Sequence, residues 1–215
     1  MNEQQDIWTR LTQGAQPNPW LNLAMNRVAR ALSEVVGEPI HCRALRVDTA
    51  SVPEIVQRAG GPNEKTASVR LEIHGDAKGQ ALLLLPWHSA LGLMDLLMEL
   101  PPGTTTDIRF EERTALAEVG NLMLAHFLNA VVASEQMPQR LQPTSPSVLI
   151  DATEKILQLA LMSVIIRGND PLIIETVFED ATRAVQIRFW VLPDQAQSQG
   201  AHASQNVAGY TRRGA

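Results

Sequence analysis

The feature that most constrains this chain is a pattern that occurs twice: an alternating run, turn residues, and a second run closed by proline. In its first occurrence, Ser68 to His74 points Val69, Leu71 and Ile73 one way and Arg70, Glu72 and His74 the other. That is the period of a half-buried strand. Gly75-Asp76-Ala77-Lys78-Gly79 supplies turn chemistry, and Gln80 to Leu85 reads as a more buried strand that Pro86 closes. These two strands predict an antiparallel hairpin. In the second occurrence, Leu172 to Phe178 is a strand and Glu179-Asp180-Ala181-Thr182 a turn. Ala184 to Leu192 then alternates Val185, Ile187, Phe189 and Val191, and closes at Pro193.

The segments upstream of the two hairpins also repeat. A helix begins near Asn18-Pro19, a good cap followed by a first-turn proline, and its apolar stripe is Ala24, Val28, Ala31, Leu32 and Val35. Gly37 and Pro39 stop it. A strand follows at His41 to Val47, and Ser51-Val52-Pro53-Glu54 starts a brief helix to Ala59. The second round has a long helix from Asp107 to Ser134, a strand at Ser147 to Ile150 and a helix from Ala152 to Met162. Each half therefore reads helix-strand-helix-strand-strand, the mark of an α/β (α+β) domain built by internal duplication over 18–103 and 104–193. The helix Ser89 to Leu100, which follows Pro86, has no counterpart after Pro193. Val164-Ile165-Ile166 fits either an extra strand or a helix end. Residues 1–17 read as a flexible arm in which Ile7, Trp8 and Leu11 offer one short docked turn, and 194–215 as a disordered tail rich in Gln, Ser, Gly and Ala.

Composition removes several function classes. The 215 residues are 45% hydrophobic and 19% charged, enough to bury a sizeable core. A net charge of −5 does not suit a phosphate-backbone binder. One cysteine, Cys42, excludes a disulfide framework, and the five histidines show no ligand spacing. No signal peptide is expected at the N-terminus, and Ala81 to Pro86, the longest strongly apolar stretch found, is too short to span a bilayer. A cytoplasmic protein is expected.

Chemistry gathers on the long helix. At about 100° per residue, Leu116, Met123, Phe127 and Val131 share a core face. Glu118, Leu122, Ala125 and Asn129 lie opposite, and Asn121 stands one turn from Glu118. Glu118 and Asn121 thus project together to the outside. Gly120 between them costs about 1 kcal/mol relative to Ala in a helix interior. The expected return is close approach of another backbone, that of the first helix. On spacing alone, Glu-x-x-Asn occurs on many solvated helices.

Glu118-Val119-Gly120-Asn121, followed by Asn129-Ala130, resembles the active-site helix of the CheC/CheX/FliY phosphatases of bacterial chemotaxis. The hairpin from Glu72 to Pro86 looks like the central strand pair of that family. The resemblance covers about residues 18–193 and is closest to CheC in length and in having two half-sites, with no switch-type domain of the FliY kind expected. It implies a pseudo-twofold fold: a central, largely antiparallel sheet with long helices packed on it. It also implies a hydrolase, a phospho-aspartyl protein phosphatase that docks on a CheY-like receiver domain. Asn121 would orient the attacking water and Glu118 would pair with a receiver lysine. No cofactor of its own is implied, because the receiver supplies the magnesium ion. An amide both donates and accepts, so it can hold water without acting as a base. Phosphoryl transfer asks mainly for positioning and charge neutralisation.

The first half departs from the pattern. Aligning Ala31-Leu32 with Ala130-Val131 sets Asn22 against Asn121, Pro19 against Glu118 and Leu21 against Gly120. Proline cannot form an ion pair, so Asn22 marks a degenerate half-site. A non-catalytic module that docks receivers or a CheD-like partner is the alternative, and a component of a flagellar switch a third reading. Elsewhere, Asp76 reads as a turn residue, Asp48, Asp151 and Glu154 give no paired-carboxylate geometry, and Met94 to Met98 reads as core. Trp190 is expected to face away from Val185, Ile187 and Phe189, under the tail or on a contact surface.

Overall fold

A computed structural model describes residues 7–12, 19–134, 140–180 and 185–194. The first long helix, α2 (Pro19–Val36), is preceded by a short α1 (Ile7–Thr12). Strand β1 (His41–Thr49), helix α3 (Val52–Arg58), the hairpin β2 (Lys65–Gly75) and β3 (Gly79–Pro86), and α4 (Trp87–Leu97) follow. The second round comprises α5 (Phe110–Ser134), β4 (Leu141–Pro143), β5 (Ser147–Ala152), α6 (Thr153–Ala160), α7 (Met162–Arg167), and the hairpin β6 (Leu172–Asp180) and β7 (Val185–Pro193).

The strands form one antiparallel sheet in the order β1-β6-β7-β3-β2-β4, with β5 also on β2. The two hairpins meet at the centre through β3 and β7. The first strand of each half crosses to the hairpin of the other: β1 pairs with β6, and β5 with β2. The repeat seen in sequence thus becomes a pseudo-twofold fold in which neither half completes its sheet alone.

Period-two burial separates two cores. Val69, Leu71 and Ile73 of β2, Leu83 of β3, and Ile187, Phe189 and Val191 of β7 face α2, α4 and α5. The opposite positions Leu82, Leu84, Ile173, Trp190 and Leu192 face α3 and α6. Trp190 does point away from Ile187 and Phe189, but it lies 1% exposed in this second core, not on a contact surface. Phe127 of α5 meets Phe189 edge-on, with ring centroids 5.9 Å apart, and pins the long helix to the sheet.

The short turn that Ile7, Trp8 and Leu11 offer within the expected arm does dock: all three are buried, and the Trp8 indole N–H donates to the Lys78 carbonyl at 2.8 Å. Other sequence expectations are corrected. Val35 is half exposed, and Leu21 and Met25 extend the buried stripe of α2 in its place. Val164-Ile165-Ile166 belongs to α7, which ends at Gly168 in the left-handed conformation. The short strand β4 was missed because its burial does not alternate. Met94 is core, whereas Met98 is partly exposed. Glu179 and Asp180, expected in a turn with Ala181 and Thr182, still belong to β6; residues 181–184 lie outside the described residues, as does the expected tail beyond Asp194. By length and composition, Phe110–Ala133 of α5 could cross a membrane, a longer apolar segment than Ala81 to Pro86. Leu116, Met123, Leu124 and Phe127 are instead buried against the sheet and neighbouring helices, as befits a core helix.

Asp95 organises the connection into α5. It is 1% exposed, and its carboxylate accepts the backbone N–H groups of Gly103 at 2.6 Å and Thr105 at 2.7 Å. Burial opposes the charge, but hydrogen bonds from Thr105, Gly103 and Thr104 outweigh it and hold the carboxyl below its ordinary value of 3.8. Its contribution is therefore complete above the unfolded pKa and is lost as pH falls through the lower folded value. Asp95→Asn is expected to cost about 2 kcal/mol at pH 7 by urea denaturation, since charge-assisted bonds to buried donors are weakened. That difference from wild type should shrink as the pH is taken below 4.

Candidate functional site

The site lies on the outer face of α5, and its geometry starts at the end of the helix. Glu111 and Glu112 occupy the first turn, where negative charge suits the helix dipole. The Glu112 carboxylate accepts the Arg109 backbone N–H at 2.8 Å, the acidic half of a capping box. Leu116, Met123, Phe127 and Val131 are buried, as the period requires. On the opposite side Glu118 and Asn129 are exposed, while Asn121, Leu122 and Ala125 are half-buried. Glu118 and Asn121 are one helical turn apart on that accessible side. Neither makes a side-chain hydrogen bond or ion pair with any described residue, so both keep their full hydrogen-bonding capacity for a partner surface.

Gly120 explains how this stretch of α5 sits so close to the sheet. A Cβ at this position would lie 2.7 Å from Val69 Cγ1 and 3.3 Å from Leu71 Cδ1. The close approach is to side chains of β2, not to the backbone of the first helix as expected from sequence. Glycine there lets the helix settle onto the hairpin that lies beneath Glu118 and Asn121.

Asn22 lies exposed near the start of α2, beside the exposed Trp20 and Leu23. Pro19 is the first residue of that helix, so no carboxylate precedes Asn22 by one turn. Packing of α2 against α5 puts the two half-sites on one helical layer.

The remaining sequence candidates have structural partners. Asp76 accepts the Arg140 backbone N–H at 2.7 Å and ties the hairpin turn to the segment entering β4. Asp48 is clamped by Arg58 through two bonds of 2.9 and 2.8 Å. Asp151 binds the Ala152 N–H and Lys155. Among the described residues no cluster of His, Cys, Asp and Glu is arranged to hold a metal. Sequence reading missed a cleft on the opposite face of the sheet, lined in part by Arg43, Glu64, Glu179 and Arg188. Only the polar positions of β7 in an otherwise apolar strand hinted at it.

The class the structure defines is a twofold α/β domain with a solvent-accessible Glu-x-x-Asn on a long helix. Known proteins narrow the class. No family model matches the chain. It is 23% identical over 177 residues to the CheY-P phosphatase CheC of Bacillus subtilis (strain 168), covering 80% of this chain and 84% of that protein. Its fold matches Thermotoga maritima FliY with TM-score 0.58 and 16% identity, over 83% of this chain and 91% of the other. It matches CheX in the CheX-CheY-BeF3-Mg complex of Borrelia burgdorferi with TM-score 0.56 and 14% identity, over 81% of this chain and 97% of the other. The chain is thus similar in sequence to CheC and shares the fold of the CheX and FliY structures.

Proposed function

We propose that this protein is a phosphatase that hydrolyses the phosphoryl-aspartate of a CheY-like receiver domain in chemotaxis or related two-component signalling. The observation that carries the reading is the pairing of Glu118 and Asn121 on the accessible side of α5, with neither side chain engaged by another described residue. The Asn121 amide holds a water in line with the phosphorus. The water oxygen forms the new P–O bond, the bond to the receiver's aspartyl oxygen breaks, and the water's proton leaves with the phosphate or passes to solvent. The aspartate departs as a stable carboxylate, so no strong base is required. Glu118 pairs with a receiver lysine and fixes the register of docking. The receiver brings its own magnesium ion, which neutralises charge on the phosphoryl oxygens. The half-buried Leu122 and small Ala125 beside the pair let a partner surface approach closely. The similarity to CheC and to a CheX that has been crystallised with CheY supports a receiver as the partner. The protein works in the cytoplasm, and a CheD-like protein is a second candidate partner.

The test is phosphate release from a phosphorylated receiver with and without the protein. No acceleration across cognate receivers would leave the adaptor reading, which the proline in place of a carboxylate in the first half already favours for that half. Glu118→Ala is expected to raise the receiver concentration for half-maximal rate about tenfold with a smaller change in the maximal rate, as loss of one docking ion pair does. Asn22→Ala is expected to change the rate less than about twofold, since its half lacks the partner carboxylate.

A further inference from the structure

A cleft opens on the face of the sheet turned away from α2 and α5. Gln186 and Arg188 of β7 fall on the same side as Trp190, but beyond the cover of α3 and α6. There they line a cleft of about 520 Å³ between the Gly60–Glu64 turn, the start of α4 and the ends of β6 and β7. The charges around the cleft are unevenly satisfied. Arg43 pairs with Glu179 at 2.9 Å, and Gln186 donates to the other oxygen of the same carboxylate at 2.9 Å. Glu175, the nearly buried acid four residues before Glu179 on β6, pairs with Arg58 at 3.6 Å. Arg188 is attracted by nearby carboxylates but forms no side-chain hydrogen bond or ion pair among the described residues, and its Nη1 is sealed from solvent without an acceptor. Burial pushes its guanidinium below the ordinary arginine value, against the pull of Glu175, Glu64 and Glu179. A half-desolvated guanidinium without a directly hydrogen-bonded anion is costly, and arginine's planar fork fits a carboxylate on two bonds.

We propose that Arg188 anchors a site for a carboxylate in this cleft, and that a carboxylate carried beside an ammonium group fits it better than a simple anion. Glu64 supplies the site for the ammonium: it lines the same cleft and makes no side-chain hydrogen bond or ion pair among the described residues. Arg188 and Glu64 are thus two opposite charges that attract each other across the cleft without direct contact. Asp180 at the cleft wall adds negative charge, which disfavours a dianion such as phosphate. Free amino acids and the ends of peptides share the required chemistry.

The full chain tests this with glycine, glycylglycine, acetate and inorganic phosphate as probes. The readouts are the unfolding temperature and the arginine Nε–Hε resonances by NMR. Glycine or glycylglycine is expected to raise the unfolding temperature and to shift one arginine resonance saturably, with affinity on the order of 1 mM. The better of the two identifies a free amino acid or a chain end as the source. Acetate should bind more weakly and phosphate not at all. R188M should lose the response roughly tenfold or more, R188K should keep part of it, and E64Q should erase the advantage of glycine over acetate. Without ligand, R188M should unfold no earlier than wild type, because methionine keeps the packing of the stem and removes an unpaired charge. No saturable response to the amino-containing probes, an equal response in R188M, or tighter binding of phosphate overturns the proposal. Phosphatase turnover should survive R188M, so this test stands or falls apart from the site on α5.

Discussion

Asn121→Ala is expected to reduce acceleration of phosphoryl-aspartate hydrolysis by at least ~100-fold while the protein keeps its wild-type unfolding midpoint. The reasoning begins with what Asn121 does not do. Its side chain is half-buried on the outer side of α5 and bonds to no described residue, so its removal strands no partner. Alanine is also the better helix former, by a few tenths of a kcal/mol. The fold therefore loses nothing, and any loss of rate reports on chemistry. The expected size follows from the amide's task. A water held in line with phosphorus replaces one drawn at random from solvent, and misplacement by about 1 Å at such a centre costs on the order of 100-fold. Phosphate release under saturating receiver separates this from a docking defect: the maximal rate falls for Asn121→Ala and largely survives for Glu118→Ala. Equal maximal rates for wild type and Asn121→Ala would remove the amide from the mechanism.

The placement of that pair on the outer side of α5 was legible in the sequence because helical period is a strong signal over a helix as long as α5. Leu116, Met123, Phe127 and Val131 mark one side, so Glu118 and Asn121 must lie on the other. The hairpins were legible for the same reason, through period two and their turn residues. The exchange of β1 and β5 between halves was not, because strand alternation tells which face is buried but not which neighbour is paired. Trp190 shows a related limit: its side was predictable, but the layer of α3 and α6 that covers it is a long-range fact. The docking of α1 depends on one indole N–H reaching the Lys78 carbonyl, across a sequence separation of 70 residues that no local pattern encodes. The unpaired state of Arg188 was equally hidden. An arginine in a strand looks the same whether an acid faces it or a cleft does.

Gly120→Val is expected to destabilise the protein by about 3 kcal/mol and to lower phosphatase activity as well, although it leaves Glu118 and Asn121 in place. A Cβ alone would sit 2.7 Å from Val69 Cγ1 and 3.3 Å from Val69 Cβ. Valine on a central strand has no flexible end to swing aside, so either β2 or α5 must shift. Inserting carbons into a packed core costs typically 1–3 kcal/mol, and valine adds its own loss of rotamer freedom in a helix. Gly120→Ala sets the helix-propensity gain of about 1 kcal/mol against a smaller clash, and should come out mildly destabilising. The two variants form a graded series, read by urea denaturation at fixed pH. Because Gly120 lies between the two site residues, the same displacement moves both relative to the surface that must receive a partner. The loss of rate should therefore follow the loss of stability from Ala to Val. A Val variant that unfolds early yet turns over at the wild-type rate would show that the seating of α5 on the hairpin matters for stability alone.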